Sequence, residues 1–270
     1  MIDTHCHLTF PDFAGRVDDI VQQAAAAGVT GMITISTTSA DVDSVVATAS
    51  AHPHVWCTSG IHPLYVDRDP RDWDALRAAA RSDKCVAWGE LGLDRHYDNP
   101  PIDLQITVLA EQLAMIEAFD DSDRRMPVVV HCRKAVDELL PILRSSNIAG
   151  DRFVFHCFTE TEEMARKVLD FGAMLSFTGV VTYKNAPEVR GSASLVPVDR
   201  MMVETDAPFL SPVPVRGERP CVPAYSMHTA RFLATLKDLP VPDFLREVDN
   251  NTERFFGVRA PAPSEAVLSR

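Results

Sequence analysis

Short apolar runs alternate with longer amphipathic stretches along almost the whole chain. The apolar runs are rich in valine, isoleucine and methionine, as buried strands are, and the stretches between them repeat apolar residues at helical spacing. We predict strands over 2–8, 30–36, 55–60, 85–90, 127–131, 152–157, 173–177 and 201–205. We predict helices over 12–27, 40–51, 71–82, 102–119, 135–145, 160–171 and 186–195, with one or two more over 226–256.

About eight alternations of strand and helix predict an α/β protein of the (β/α)₈ TIM-barrel type. No linker divides the chain, so we expect a single barrel domain over 1–258 and a loose tail over 259–270. The polar stretch Asp120–Arg125 is expected to be a solvated turn. A doubly wound sheet is the alternative, but the chain has no Gly-x-Gly-x-x-Gly fingerprint, and the chemistry described next favours the barrel.

Composition limits the classes of function. The chain has 270 residues, of which 46% are hydrophobic and 24% are charged, as in ordinary globular proteins. It has no apolar run that could span a membrane and no basic leader with an apolar core, so we expect a cytoplasmic protein without a membrane partner or an obligate protein partner. A formal net charge of −12 excludes nucleic-acid binding through a general basic field. A polyanionic substrate would need metal ions and a few local arginines.

Polar residues lie at the carboxyl ends of the predicted strands, where barrel enzymes hold their active sites. His5 and His7 are two residues apart on a strand and therefore share a face, which turns Cys6 away from that face. The full set of strand-end candidates is His5, His7, Glu90, His131, His156 and Asp206. Each alone has an ordinary structural explanation, but six in phase with the strand ends indicate a metal centre.

Six candidates exceed what one tetrahedral ion needs, so we predict two divalent ions bridged by a carboxylate. The mixture of imidazoles and carboxylates suits Zn²⁺, Mn²⁺ or Fe²⁺ and suits Mg²⁺ less well. Asp206 follows the last strand and could orient a water and take its proton. The alternative for Asp206 is a helix cap or Asx-turn before Ala207–Pro208.

Four further residues are candidates for substrate contacts at the barrel mouth. Arg133 and Lys184 follow predicted strands and could meet an anionic group, although both could equally be solvated surface charges. Phe158 could stack on a base, with packing in the core as its alternative. His62 follows the third strand on the mouth side and is a second-rank candidate for contacting substrate.

With these residues in place, the chain resembles the TatD family of metal-dependent hydrolases, within the amidohydrolase-like barrels. The resemblance covers nearly the whole chain, from Ile2 to about Val258. Its motifs, in order, are DTHCH at 3–7, GIHP at 60–63, GELGLD at 89–94, PVVVHCR at 127–133, HCFT at 156–159, ETDAP at 204–208 and NTERFFG at 251–257. The order and number of the motifs carry the resemblance, because each one alone is weak.

The resemblance implies a first metal site lined by His5, His7, Glu90 and Asp206. It implies a second site lined by His131 and His156, with Glu90 bridging the two. Family members look like Mg²⁺- or Mn²⁺-dependent deoxyribonucleases that remove nucleotides from 3′ ends, so the expected metals are harder than the ligand set alone suggested.

The resemblance therefore implies a 3′–5′ exodeoxyribonuclease that acts on single-stranded or frayed DNA ends. Its two-metal mechanism would use a bridging hydroxide, with Asp206 as general base. The alternative is an amide or ester hydrolase such as a D-aminoacyl-tRNA deacylase, with charged tRNA as its substrate. A metal- or nucleic-acid-binding protein without catalysis is a third possibility.

The chain departs from the family pattern in two places that bear on substrate choice. Cys221 and Val222 replace the usual Asn-Glu pair after the arginine-rich stretch, and Glu160 stands where a glycine is usual. The candidate ligands are unaffected, so we expect hydrolysis and leave the substrate open.

Overall fold

A computed structural model describes residues 1–68, 70–120, 124–259 and 261. Eight strands form one parallel sheet in which neighbours follow chain order. The strands are β1 (Ile2–Cys6), β2 (Gly31–Thr34), β3 (Val55–Ser59), β4 (Cys85–Asp94), β5 (Val128–Arg133), β6 (Phe153–Phe155), β7 (Met174–Phe177) and β8 (Met201–Val203). The helices are α1 (Val17–Ala26), α2 (Val42–Ala51), α3 (Trp73–Ala80), α4 (Ile102–Asp120), α5 (Val136–Ser145), α6 (Glu162–Phe171), α7 (Pro187–Leu195), α8 (Ser226–Leu236) and α9 (Val241–Phe256).

The sheet closes between β1 and the residues that follow β8. Cys6 forms a parallel bridge with Ala207, and the backbone N–H of His7 donates to the Ala207 carbonyl at 2.8 Å. The Asp206 N–H donates to the His5 carbonyl at 2.9 Å. The predicted (β/α)₈ barrel is therefore confirmed, and its closing seam carries three of the candidate metal ligands.

Two apolar clusters fill the molecule. The larger one joins the strands to the helices, as in the packing of Phe119 of α4 against Trp88 of β4, with ring centroids 5.0 Å apart. The smaller one takes residues from nearly every strand, including Ile2 and Met202, and is completed by Phe256, the last residue of α9, and by Val258 just beyond it. Apolar side chains thus fill the amino-terminal end of the barrel. The polar residues gather at the carboxyl end.

Several predicted boundaries were wrong, and each error has a local cause. The predicted helix over 12–27 is a 3₁₀ turn at Pro11–Phe13 followed by α1, because Gly15 interrupts it at a φ of 70°. The predicted strand over 152–157 is only β6, so His156 follows the strand instead of lying within it. Half of the predicted turn Asp120–Arg125 and most of the predicted tail over 259–270 lie outside the described residues.

The largest correction concerns β4, which was predicted to end at Glu90. The strand continues four residues further and pairs with β5 through Gly92↔His131 and Asp94↔Arg133. Its register shifts between Trp88 and Leu91, and the register of β1 shifts between Asp3 and Cys6. Such irregularities re-aim side chains near functional sites. Here they lie at His5 and Glu90.

Two close backbone approaches explain why glycines surround Glu90. A Cβ atom on Gly60 would lie 2.6 Å from the Cα of Gly89, so β3 and β4 touch through their glycines. A Cβ on Gly92 would lie 1.9 Å from the His131 carbonyl oxygen, and the φ of Gly92 is +146°, which L side chains rarely adopt. The strand that carries Glu90 can approach its neighbours this closely only without side chains at these positions.

In the part of the chain that the structure describes, no helix is both long and apolar enough to cross a membrane.

We expect Gly92→Ala to lower the free energy of unfolding by about 2–4 kcal/mol, because the added methyl group meets backbone that cannot move aside. Urea denaturation measures this loss. Gly217→Ala is the matched control, since a Cβ there meets nothing within 4 Å, and its effect should stay within about 0.5 kcal/mol. Equal midpoints for the two variants would contradict the proposed close approach.

Candidate metal centre

Glu90 lies between two groups of imidazoles and directs one carboxylate oxygen toward each. Its Oε2 lies 3.2 Å from Nε2 of His5 and 4.0 Å from Nε2 of His7. Oδ1 of Asp206 completes this first group, at 3.3 Å from His7 Nε2 and 3.7 Å from His5 Nε2. The four residues that the family resemblance assigns to the first site are therefore brought together.

The second group surrounds the other oxygen of Glu90. Oε1 lies 2.7 Å from Nε2 of His156, 2.8 Å from Nδ1 of His131 and 3.2 Å from Nε2 of His62. The rings of His156 and His5 are parallel, with centroids 3.8 Å apart, so the two groups touch. A carboxylate with one oxygen in each group has the arrangement needed to bridge two ions.

The burial of these atoms fits a metal centre. His5 is fully buried and Glu90 is 1% exposed. Within the described residues, His5 Nδ1 and Nε2, His7 Nδ1 and Glu90 Oε2 have no hydrogen-bond partner. Buried polar atoms without partners are costly and uncommon in folded proteins. These imidazole nitrogens and carboxylate oxygens lie close enough together to hold divalent ions, and bound ions would supply the missing partners.

The electrostatics of the centre keep both carboxylates charged. Burial alone would raise the pKa of Glu90, but its interactions with the surrounding imidazoles, chiefly His156, outweigh burial and hold that pKa well below its usual range. Burial also acts to raise the pKa of Asp206, and a hydrogen bond from His7 with the nearby imidazole charges lowers it overall. Both groups are therefore anionic at neutral pH, as metal ligands must be.

His62 is placed differently from the other histidines. Its Nδ1 accepts a hydrogen bond from the Leu64 N–H at 2.9 Å, which leaves the proton of the neutral ring on Nε2. Burial lowers its pKa to about 4, so the ring is neutral at physiological pH. Nε2 is thus a donor directed into the site, which suits contact with an anionic substrate better than coordination of an ion.

Asp94 is a functional candidate that the sequence reasoning missed. Its Oδ2 lies 2.9 Å from Nε2 of His131, and its Oδ1 accepts the N–H groups of His96 and Tyr97 at 2.7 and 3.2 Å. Because Asp94 holds one nitrogen of His131, the other nitrogen, Nδ1, faces Glu90. The signal was present at the end of the GELGLD motif. A strand that ended at Glu90 would place Asp94 in the following loop, away from the other strand-end candidates.

Two more buried carboxylates, also missed, fix the end of β8. Glu204 Oε1 accepts the Cys157 N–H at 2.6 Å and lies 3.5 Å from Nδ1 of His156, while its Oε2 accepts from Ser176 at 2.7 Å. Asp3 accepts the N–H and hydroxyl of Thr205 at 3.0 and 2.6 Å. These bonds hold the segment that presents Asp206, and both residues lie in motifs already noted in the sequence.

Asp206 itself has a backbone conformation that non-glycine residues seldom adopt. Its φ is 61°, in the left-handed region. The N–H bond to the His5 carbonyl and a bond from the Phe209 N–H to its own carbonyl, both 2.9 Å, hold it there. Strained backbone of this kind occurs at functional sites where the surroundings enforce it. The consequence here is that the carboxylate turns toward His5 and His7.

A cavity of about 890 Å³ opens above the centre. Two of the four predicted substrate contacts line this cavity and two do not. His62 and Arg133 line it, and the Arg133 guanidinium lies 5.5 Å from the centre of the Tyr97 ring. Lys184 is exposed and lies outside the described lining. Phe158 is 2% exposed and packs against Phe177. It is therefore a core residue, and the prediction that it stacks on a base is wrong.

The departures from the family motif lie away from the cavity lining. Cys221 is fully buried and Val222 is 5% exposed, and both belong to the large apolar cluster. Glu160 lies at the rim, where its Oε1 accepts the Lys134 N–H at 2.5 Å. The replaced pair therefore changes packing behind the site and leaves the groups that face a substrate unchanged.

We expect Asp94→Asn to weaken binding of divalent metal by about 10- to 100-fold, because His131 loses the carboxylate that orients it. Isothermal titration of the metal-free protein with Mn²⁺ measures the change. Asp98→Asn, at an exposed position in the same loop, is the control and should bind like the unaltered protein. Equal affinities for both variants would show that Asp94 does not support the centre.

Comparison with known proteins identifies the family of the chain. The sequence profile described as TatD related DNase matches residues 2–257. The chain is 36% identical over 264 residues to the uncharacterized metal-dependent hydrolase YcfH of Escherichia coli K12, covering 96% of this chain and 97% of that protein. It is 33% identical over 265 residues to the 3′-5′ ssDNA/RNA exonuclease TatD of Enterobacter lignolyticus, covering 96% and 99%.

A solved structure shows the same fold. The crystal structure of YjjV, a TatD homologue from Escherichia coli, superposes with a TM-score of 0.88 at 29% identity and covers 96% of this chain and 98% of its own. Together with the profile match over nearly the full length, this shows that the chain belongs to the TatD related DNase family and is a metal-dependent hydrolase.

Proposed function

We propose that the protein is a 3′–5′ exonuclease that hydrolyses phosphodiester bonds at single-stranded or frayed DNA ends with two divalent ions. The observation that carries this proposal is the position of Glu90, with one oxygen in each of two imidazole groups. Paired ions a few ångströms apart are typical of enzymes that cleave phosphodiesters. The family description and the name of the Enterobacter relative support a nucleic-acid substrate.

Each ligand set has a distinct part in this proposal. His5, His7 and Asp206 would hold one ion. His131 and His156, which both approach Glu90 Oε1, would hold the other, and Glu90 would join them. When bound, the two ions would lower the pKa of an attacking water and neutralise charge on the phosphate. By family resemblance we expect both ions to be Mg²⁺ or both to be Mn²⁺, and the ligand chemistry also admits Zn²⁺.

Protein groups complete the reaction. The Asp206 carboxylate is anionic and lies at the end of the first ligand group, where it can take the proton of the attacking water. The His62 Nε2–H can donate to a phosphate oxygen as negative charge develops there. Arg133 can hold a neighbouring phosphate from the cavity wall. Such local contacts are needed because the protein as a whole is strongly acidic.

The same centre could instead attack a carbonyl carbon, as in removal of an amino acid from charged tRNA. The cavity lining is compatible with this second function, because it includes Glu188 and several apolar residues and only one arginine to meet phosphates. Asp206 would take the same proton in either reaction. The two functions therefore differ in the substrate consumed and share the catalytic group.

We expect Asp206→Asn to reduce stepwise shortening of a 5′-labelled single-stranded oligonucleotide by about 10²- to 10⁴-fold, since an amide cannot take the proton. Product ladders with added Mg²⁺ or Mn²⁺ measure the rate. Asp170→Asn, on the exposed face of α6, is the control and should match the unaltered protein.

A second assay incubates the unaltered protein and both variants with D-aminoacyl-tRNA and measures the amino acid released. Release of amino acid, with DNA left intact by the unaltered protein, would replace the nuclease assignment with the deacylase. Trimming of DNA that persists undiminished in Asp206→Asn would contradict the role given to Asp206.

A further inference from the structure

A row of aromatic rings leads from the metal centre to the surface. The ring of His7 stacks on Phe10, with centroids 4.5 Å apart and planes 24° from parallel. Phe10 meets Phe209 in an edge-on contact, with centroids 6.0 Å apart. Both phenylalanines line the cavity, and Phe209 is 44% exposed. An exposed aromatic ring therefore stands two ring contacts away from a candidate metal ligand.

The position of Phe209 is fixed relative to the reacting groups. Its backbone N–H donates to the Asp206 carbonyl at 2.9 Å, so the residue is tied to the candidate general base. Phe10 supports the ring from the side of the first ligand group. An exposed aromatic ring that lines the cavity beside the metal centre suits a nucleobase, because stacking needs only an available ring face.

Other aromatic side chains at this end of the barrel make contacts within the protein, among them Tyr65, which lines the cavity with the Arg68 guanidinium 4.3 Å from its ring centre. Phe158 is buried in the core. The Arg133 guanidinium lies over the Tyr97 ring, and the Arg216 guanidinium lies 4.0 Å from the centre of the Tyr183 ring. A base that stacked on any of these three tyrosines would compete with a cation.

We propose that Phe209, supported by Phe10, is the base-stacking residue for one of the two nucleotides that flank the cleaved bond. The inference rests on the proposed nuclease function and names a specificity-determining residue for it. Phe209 would hold the base while the metal centre and Arg133 hold the phosphates. Because stacking is tolerant of sequence, the protein would require a base at this position without selecting which one.

The test compares oligonucleotides that differ only in the presence of a base. Single-stranded substrates carry either normal bases or an abasic residue at the last or the penultimate 3′ position. We expect Phe209→Ala to raise KM for the normal substrate by roughly 5- to 150-fold, with a smaller effect on kcat. One of the two abasic substrates should remove the difference between the variant and the unaltered protein. Phe209→Trp should restore binding of the normal substrate.

Val213→Ala is the matched control, since Val213 is 43% exposed on the same loop and is not part of the described cavity lining. It should leave KM unchanged. If Phe209→Ala raises KM equally for normal and for both abasic substrates, or not at all, the stacking role is overturned.

A binding measurement separates failure of this inference from failure of the proposed function. The tryptophan emission that Phe209→Trp adds should be quenched when the protein binds a normal oligonucleotide and not when it binds the responsive abasic one. Quenching without turnover by the unaltered protein would refute the nuclease and leave the stacking site standing. Turnover without base-dependent quenching would refute the stacking site alone.

Discussion

The structure of the site depends on one buried carboxylate. Glu90 is 1% exposed and has imidazole nitrogens within 3.2 Å of each of its oxygens. A buried carboxylate without partners would be protonated or would destabilise the fold. Here the surrounding histidines keep the pKa of Glu90 well below its usual range, so the charge persists in the core. The other ligands are arranged around that charge, and the strands are arranged to bring them there.

Irregularities in two strands make that arrangement possible. Regular strands would place residues of one face at strict two-residue intervals. Register shifts in β1 and β4 occur where His5 and Glu90 must turn inward, and glycines at positions 60, 89 and 92 allow β3, β4 and β5 to approach. The opposite end of the barrel is filled by apolar side chains. The fold thus separates a stabilising end from a reactive one, as is general for this barrel.

Much of this could be predicted from the sequence, because periodicity reports which elements exist. The eight strands and their order followed from short apolar runs, and the six candidate ligands followed from polar residues at the ends of those runs. Asp94 was missed because nothing in the alternation shows that β4 continues past Glu90; pairing with β5 decides that. Phe158 was misjudged because its burial depends on Phe177, which comes from a different strand.

The missed residues share a physical character. Asp3, Asp94 and Glu204 are buried carboxylates that accept backbone N–H groups while touching or supporting the candidate ligands. The residues that they orient, His131, Thr205 and His156, come from other parts of the chain, so their role depends on tertiary contacts that one sequence does not encode locally. Residues of this kind orient metal ligands and are as much a part of a metal site as the ligands themselves.

The central claim is that one carboxylate joins two ion positions. Its most direct test is the number of Mn²⁺ ions bound per chain, measured by titration of metal-free unaltered protein and of Glu90→Ala, which removes both oxygens. We expect about two ions for the unaltered protein, and weakened binding at both positions in the variant, because each position loses an oxygen ligand. A single ion in the unaltered protein, or a variant that loses affinity at one position only, would contradict a bridging Glu90.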